Sequence, residues 1–401
     1  MCIFVFPMNE KILKANLYLL FCVAFLPQHI FLPSIISTAK YFETNYSTMQ
    51  FAISAFMAGG AILQIILGPL SDRFGRRPIL LTSLFGFILV TVGCIFSSGA
   101  SYFLFFRTLQ ALSIGGLVIG RAIVADTESP SAIFKIMANL AILMAFITMG
   151  APILGEFIDT RYGWQISFYF LLLLGSVLFI INLIALPETN MAKIDSFWDQ
   201  LIQYRLLFNL RLFWVYVLSG NLATASFFSL LVAIPYCIQK IFFFEAFWIG
   251  LVISIIVSGF VLGNLISSKF SKLMTEFLWL VLGYFFIFLS ITLSYLIYKT
   301  APFYPLAMFF PFFFVGIGNG FIWPISITGA VTINPYLRGS ASGLHGASMY
   351  MIGSIFSSIL AIWISQTNSI WPIYFVLTLS TILGLLVVSR FNIEKKRNQA
   401  V

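Results

Sequence analysis

The sequence predicts an all-α polytopic membrane protein with twelve transmembrane helices in two pseudo-symmetric six-helix bundles, and three observations lead there. Only 9% of the 401 residues are charged against 60% hydrophobic, with a mean hydropathy of +1.02, whereas soluble domains carry about 25% charged residues. The apolar residues gather in runs of about twenty, the length that crosses the hydrocarbon core of a bilayer. One long polar stretch near the middle parts these runs into six and six. Such a composition excludes a secreted enzyme, a disordered chain and a DNA-binding domain.

The runs fall near 16–37, 48–70, 78–98, 101–124, 133–157 and 164–186, then 212–236, 246–268, 277–298, 303–331, 340–363 and 370–390. The first is longer than the apolar core of a signal peptide, and no small-x-small cleavage pattern follows it. Pro27, Pro33, Pro152, Pro311 and Pro324 lie inside runs, as membrane helices tolerate when neighbours satisfy the freed carbonyls. The run 303–331 also holds Pro305, Gly316, Gly318 and Gly320, and reads as the candidate for a broken helix.

The polar stretch 187–209 divides the chain into an N-terminal bundle (1–190), a linker (191–210) and a C-terminal bundle (211–401), as a duplicated transporter requires. Gly68 to Arg77 and Gly263 to Lys272 echo each other after the second and eighth runs. Positive residues collect on the cytoplasmic side of a membrane. With the N-terminus inside, seventeen of the 22 Lys and Arg fall on that side, while Lys40, Arg161, Lys240 and Lys299 fall opposite and Arg107 lies within a run. Both termini and the linker are therefore expected in the cytoplasm, and the net charge of +9 belongs to topology, with no nucleic-acid partner. Cys2, Cys22, Cys94 and Cys237 form no C-x-x-C pair and read as small hydrophobes, giving neither disulfide framework nor metal site.

The loop after the second run reads Gly68-Pro69-Leu70-Ser71-Asp72-Arg73-Phe74-Gly75-Arg76-Arg77-Pro78. The glycines permit a tight turn and close approach. Asp72 suits the positive end of a neighbouring helix, and Arg73, Arg76 and Arg77 suit the cytoplasm and anionic headgroups. This loop resembles the G-x-L-x-D-R-x-G-R-R signature of the major facilitator superfamily. Arg107-Thr108-Leu109-Gln110-Ala111 is similar to that superfamily's R-x-x-Q-G, with Ala111 in place of glycine. Gly120-Arg121-Ala122-Ile123-Val124-Ala125-Asp126 resembles the G-R-A-I-V-x-D of the bicyclomycin and chloramphenicol resistance (Bcr/CflA-type) drug exporters. Gly150-Ala151-Pro152-Ile153-Leu154-Gly155-Glu156 resembles the antiporter signature G-P-x-x-G-G, with Glu156 where the family has glycine, and Gly163-Trp164-Gln165 resembles its G-W-R. The departure lies in the first run, where His29-Ile30-Phe31-Leu32-Pro33 stands in place of D-M-Y-L-P. The resemblance is strong over 29–190 and weak beyond.

It implies these roles. Gly68, Asp72, Arg73, Gly75, Arg76, Arg77, Arg121 and Asp126 form a cytoplasmic latch in which Arg121 pairs with Asp72. Arg107, with Gln110 on the same helical face, faces the central cavity. Gly150, Pro152 and Gly155 pack the fifth run against another helix. Two readings stand for proton transfer: His29, which titrates near neutrality, or Glu156. In the second half Asn221 and Asn319, with Trp323 and His345, are the polar or aromatic candidates inside runs.

No G-x-x-x-x-G-K-[ST], H-E-x-x-H or G-x-S-x-G occurs, so neither ATP chemistry nor hydrolysis is expected. There is no catalytic, cofactor or metal residue to name. The expectation is a monomeric, proton-coupled exporter of small, fairly apolar molecules in a bacterial inner membrane, surrounded by lipid. The alternatives are a carrier for one metabolite, such as a siderophore or amino acid, and a non-transporting receptor on the same scaffold.

Overall fold

Inside a bilayer no water is at hand for backbone N–H and C=O groups, so each apolar run must close its hydrogen bonds within itself as a helix. The computed structural model describes residues 10–44, 46–190, 205, 207–244, 247–300 and 305–399. Among the described residues twelve helical spans are long and apolar enough to cross a membrane, the fourth made of two helices joined by a 3₁₀ turn, and there is no strand. Lys193, Asp195 and Asp199 of the expected linker lie outside the described residues.

The first half comprises α1 (Glu10–Ile30), α2 (Ile35–Tyr41), α3 (Tyr46–Phe74), α4 (Arg76–Ile95), α5 (Ala100–Leu109), α6 (Gly115–Thr127), α7 (Pro130–Tyr162) and α8 (Trp164–Ala185). The second comprises α9 (Arg211–Tyr236), α10 (Phe247–Phe270), α11 (Glu276–Thr300), α12 (Phe313–Thr332), α13 (Arg338–Thr367), α14 (Trp371–Ser389) and α15 (Phe391–Gln399). The run 303–331 is broken only at its start, where a 3₁₀ turn at Pro305–Phe312 leads into α12, which continues through Pro324. Two further runs break as well. The first tightens to 3₁₀ at Leu32–Ser34, where Pro33 supplies no donor, and the fourth does so at Gln110–Ile114.

The chain groups into two compact units. One takes residues 1–128, 143–204 and 334–347, the other 129–142, 205–333 and 348–401. In the first, Phe31, Phe103, Trp164 and Phe168 pack together with centroids 5.4 to 5.9 Å apart, edge to face except for the tilted Phe31–Phe103 pair, a geometry suited to the ring quadrupoles. In the second, Tyr284, Ile287, Leu280 and Phe321 centre a core built on α9, α11, α12 and α14.

Gly316 and Gly320, which read in sequence as interruptions, are contact points instead. A Cβ on Gly316 would lie 2.0 Å from the Ile256 carbonyl oxygen and one on Gly320 2.6 Å from that of Phe260. From the other side, Gly259 and Gly263 of α10 meet the Phe313 and Ile317 carbonyls equally closely. Two small-xxx-small faces thus lie backbone to backbone, the packing that lipid-embedded helices favour. Cys94 and Cys237 are buried free thiols, and burial pushes Cys237 up to about 12.

Candidate functional site

The motif loop is short because α3 runs on to Phe74 and α4 begins at Arg76, leaving Gly75 alone as the turn. Its φ of 106° is a left-handed conformation in which a side chain is strained. The turn brings Asp72 and Arg76 into a direct ion pair at zero exposure. Asp72 also accepts from the backbone N–H groups of Gly339 (2.8 Å) and Ser340 (2.6 Å) and from the Ser340 hydroxyl. These are the opening amides of α13, so the carboxylate sits on the positive end of a 30-residue helix. Gly68 meets Gly339 backbone to backbone, a Cβ on it falling 2.4 Å from the Gly339 oxygen.

Asp126 completes the cluster, accepting from Arg76 Nε and Arg338 Nη1, each at 2.9 Å. Glu188 closes it from the chain that leaves α8. Its carboxylate accepts from the backbone N–H groups of Arg76 (2.9 Å) and Arg77 (3.3 Å), the orphan donors of the α4 N-terminus. Asn190 Nδ2 donates to the Asp72 carbonyl at 2.7 Å.

Two expectations are corrected here. Asp72 pairs with Arg76 and the start of α13, not with Arg121, because the one-residue turn at Gly75 sets Arg76 directly against it. Arg121 is fully buried elsewhere in the unit, with its charge acting on the His345 imidazole. Nor does Arg76 face headgroups, since it is enclosed between two carboxylates. Arg77 is half-buried and donates to the Leu183 carbonyl at 2.7 Å, while Arg73 lies over the Phe74 ring at 4.9 Å.

Arg107 is also fully buried, and its partners among the described residues all belong to its own unit. It donates to Gln110 Oε1 and to the Pro27 carbonyl (2.6 Å), and lies 4.8, 4.9 and 5.7 Å from the Phe31, Phe56 and Phe168 ring centroids. Gln110 Nε2 continues the thread to Thr91 Oγ1 at 2.9 Å. Three ring faces and two acceptors replace the water a guanidinium would otherwise need.

His29, half-buried in the last turn of α1, has Nε2 3.5 Å from Thr148 Oγ1 of α7. Glu156, the competing acid, is exposed on α7 and forms no side-chain bond among the described residues. One turn on, Asp159, which the sequence reading passed over, accepts from Ser37 Oγ at 2.6 Å. Of the antiporter motif, Gly155 makes the close approach: a Cβ there would fall 2.1 Å from the Ile30 carbonyl oxygen. Gly150 has open space around it, and α7 runs on through Pro152.

In the second unit Asn221 Nδ2 donates to Ser348 Oγ at 2.8 Å, while Asn319 Nδ2 bonds back to the Val315 carbonyl of its own helix at 3.0 Å.

Sequence reasoning missed Gln64, Glu188, Asn190, Arg338 and Ser340. Gln64 is fully buried two turns before Asp72, against Gly343 and Gly346, and neither amide atom has a hydrogen-bond partner among the described residues. A glutamine in an apolar run was the available signal. The others sit in loops or at helix ends far away in sequence. No group of three His, Cys, Asp or Glu able to hold a metal occurs among the described residues.

Comparison with known proteins places these features. The model of the Major Facilitator Superfamily matches residues 17–358. The chain is 31% identical over 167 residues to multidrug resistance protein MdtM of Escherichia coli K12, a match spanning 41% of this chain and 41% of that protein. Over 390 residues it is 26% identical to a chloramphenicol resistance protein of Pseudomonas aeruginosa, covering 92% of this chain and 88% of that one. The fold resembles the crystal structure of the human organic anion transporter MFSD10 with a TM-score of 0.73 at 18% identity, over 96% of this chain and all of that one.

Proposed function

This chain belongs to the major facilitator superfamily of transporters, and on that premise we propose that it is a proton-coupled exporter of small, fairly apolar molecules, drugs among them, in a bacterial inner membrane. The observation that carries export is Gly155 pressed on the Ile30 carbonyl. The glycine of the antiporter-like stretch holds α7 against the end of α1, one residue from His29. Similarity along most of the chain to a chloramphenicol resistance protein supports drugs as substrates.

His29 takes the place of the subfamily's first-span acid in this reading. It sits at a helix end beside the Thr148 hydroxyl, and an imidazole can take up and release a proton. Asp72, Arg76 and Asp126 hold the start of α13 in one conformational state, Arg107 braces α1 against α5 and α8, and Gln64 offers a buried amide to substrate or water. The exporter works by alternating access, with two arrangements of packed helices exchanged by substrate and proton.

The test is chloramphenicol efflux from proteoliposomes under an imposed pH gradient. Uphill export that stops in His29→Gln, while chloramphenicol still binds, is expected. Uphill export that persists after the gradient is collapsed would overturn proton coupling.

A further inference from the structure

In the second unit α9 and α14 leave a groove of about 490 Å³, lined by Arg211, Trp214, Leu218, Leu222, Leu383 and Arg390, among others. Its two cations lie at one end. Arg211 is the first residue of α9 and Arg390 follows α14 directly, and that end is fastened by Tyr216 against Phe391, with centroids 5.3 Å apart. From there the lining is apolar. Trp214, Leu218 and Leu222 follow Arg211 at helical spacing along one face, and Leu383 and Leu386 face them from α14 at 37% and 60% exposure.

Charge at the mouth is only partly balanced. Arg211 reaches Glu394 at a long 3.8 Å and keeps 69% of its side chain exposed, so most of its donors remain available. Arg390 makes no ion pair among the described residues. The neighbouring Lys395 is taken up by Glu276 at 2.6 Å, which leaves two guanidiniums against the one carboxylate of Glu394. Guanidiniums bind phosphate oxygens through forked, charge-assisted hydrogen bonds. Basic pockets at the ends of spans suit anionic headgroups.

We propose that this groove is a binding site for an anionic phospholipid, its phosphate held between Arg211 and Arg390 and an acyl chain laid along Trp214, Leu218, Leu222 and Leu383. A zwitterionic lipid offers the same tail, but its choline or amine returns a positive charge to a mouth that already has an excess. The apolar floor excludes a free phosphate ion as the natural occupant, because it would leave the groove itself unfilled. The lipid would tie the first turn of α9, where the linker enters, to the last turn of α14.

The experiment is native mass spectrometry of the purified protein with phosphatidylglycerol or phosphatidylcholine of the same acyl chains, with thermal unfolding in parallel. The wild type should retain phosphatidylglycerol at least tenfold better and melt higher in its presence. Arg211→Gln/Arg390→Gln should lose both effects while binding phosphatidylcholine as before. As a second variant with its charges intact, Leu222→Trp should fill the groove and weaken retention of both lipids. An unchanged preference in the double variant, no preference in the wild type, or soluble glycerol phosphate binding as tightly as the intact lipid would each overturn the proposal.

Discussion

Replacing Asp72 by asparagine should free the start of α13. The carboxylate accepts four bonds, from the Arg76 guanidinium, the Gly339 and Ser340 amides and the Ser340 hydroxyl. An amide keeps one acceptor oxygen and turns an NH₂ group toward donors, so about two of the four are lost along with the charge. Hydrogen bonds to a charged group contribute about 1.5–3 kcal/mol each, and breaking a buried pair costs about 3–5 kcal/mol. Arg76 keeps Asp126 at 2.9 Å, which favours the lower figure of about 3 kcal/mol, a factor of roughly 10² in the opening equilibrium. Amide exchange of residues 338–343 in nanodiscs should therefore accelerate by about that factor, and initial chloramphenicol efflux should fall at equal protein amount. Ser340→Ala, which removes one hydroxyl bond to the carboxylate, should accelerate exchange by about tenfold, the lower end of the range for such a bond. Exchange within threefold of wild type in Asp72→Asn, with the protein normally inserted, would refute the reasoning.

Two other substitutions test the first unit. Arg107→Ala removes two charge-assisted bonds and three ring contacts, so it should cost about 3 kcal/mol and abolish transport. Arg107→Lys should recover only part of either, because an ammonium cannot fork between Gln110 and Pro27; normal melting and efflux in the alanine variant would contradict this. Gly155→Val should place side-chain atoms on the Ile30 carbonyl, which a Cβ already approaches to 2.1 Å. Efflux should then be lost with expression retained, whereas Gly150→Val, in open space, should transport normally.

The twelve spans were legible because hydrocarbon thickness imposes one length on every run, and the motif loop because its spacing is distinctive. What stayed hidden depends on contacts distant in sequence. Asp72 bonds to residues more than 260 positions away, so no local pattern could choose α13 over Arg121 as its partner. Glu188 caps α4 from across 112 residues. Gly316 and Gly320 read as weak points because a glycine's backbone freedom is visible in sequence, whereas the carbonyl it lets approach is not. Glu156 drew attention for replacing a motif glycine, although its side chain is exposed and the acid held in a contact is Asp159, one turn on, which accepts from Ser37.

The composition of the Asp72 cluster bears on how a latch can be tight yet reversible. If α13 were held by one ion pair, release would strand a buried charge, at a cost of several kcal/mol. Here Arg76 is paired with Asp72 on its own α3–α4 turn and with Asp126 at the end of α6, and Glu188 caps the same turn from the α8 side. Those three partners need nothing from α13. What α13 adds is two backbone amides, one hydroxyl and Arg338, and at 21% exposure the Arg338 side chain already has some access to solvent. Release therefore forfeits the contacts to the helix end and the Arg338–Asp126 ion pair, while Arg76 stays paired with both carboxylates. The cost is that of a few hydrogen bonds and one partly exposed ion pair, a range that differential binding of ligands to the two states can overcome. In the proposed latch Gly75 and Arg76 are thus as necessary as Asp72: the glycine makes the one-residue turn, and the turn sets the arginine against its carboxylate without any contact to α13.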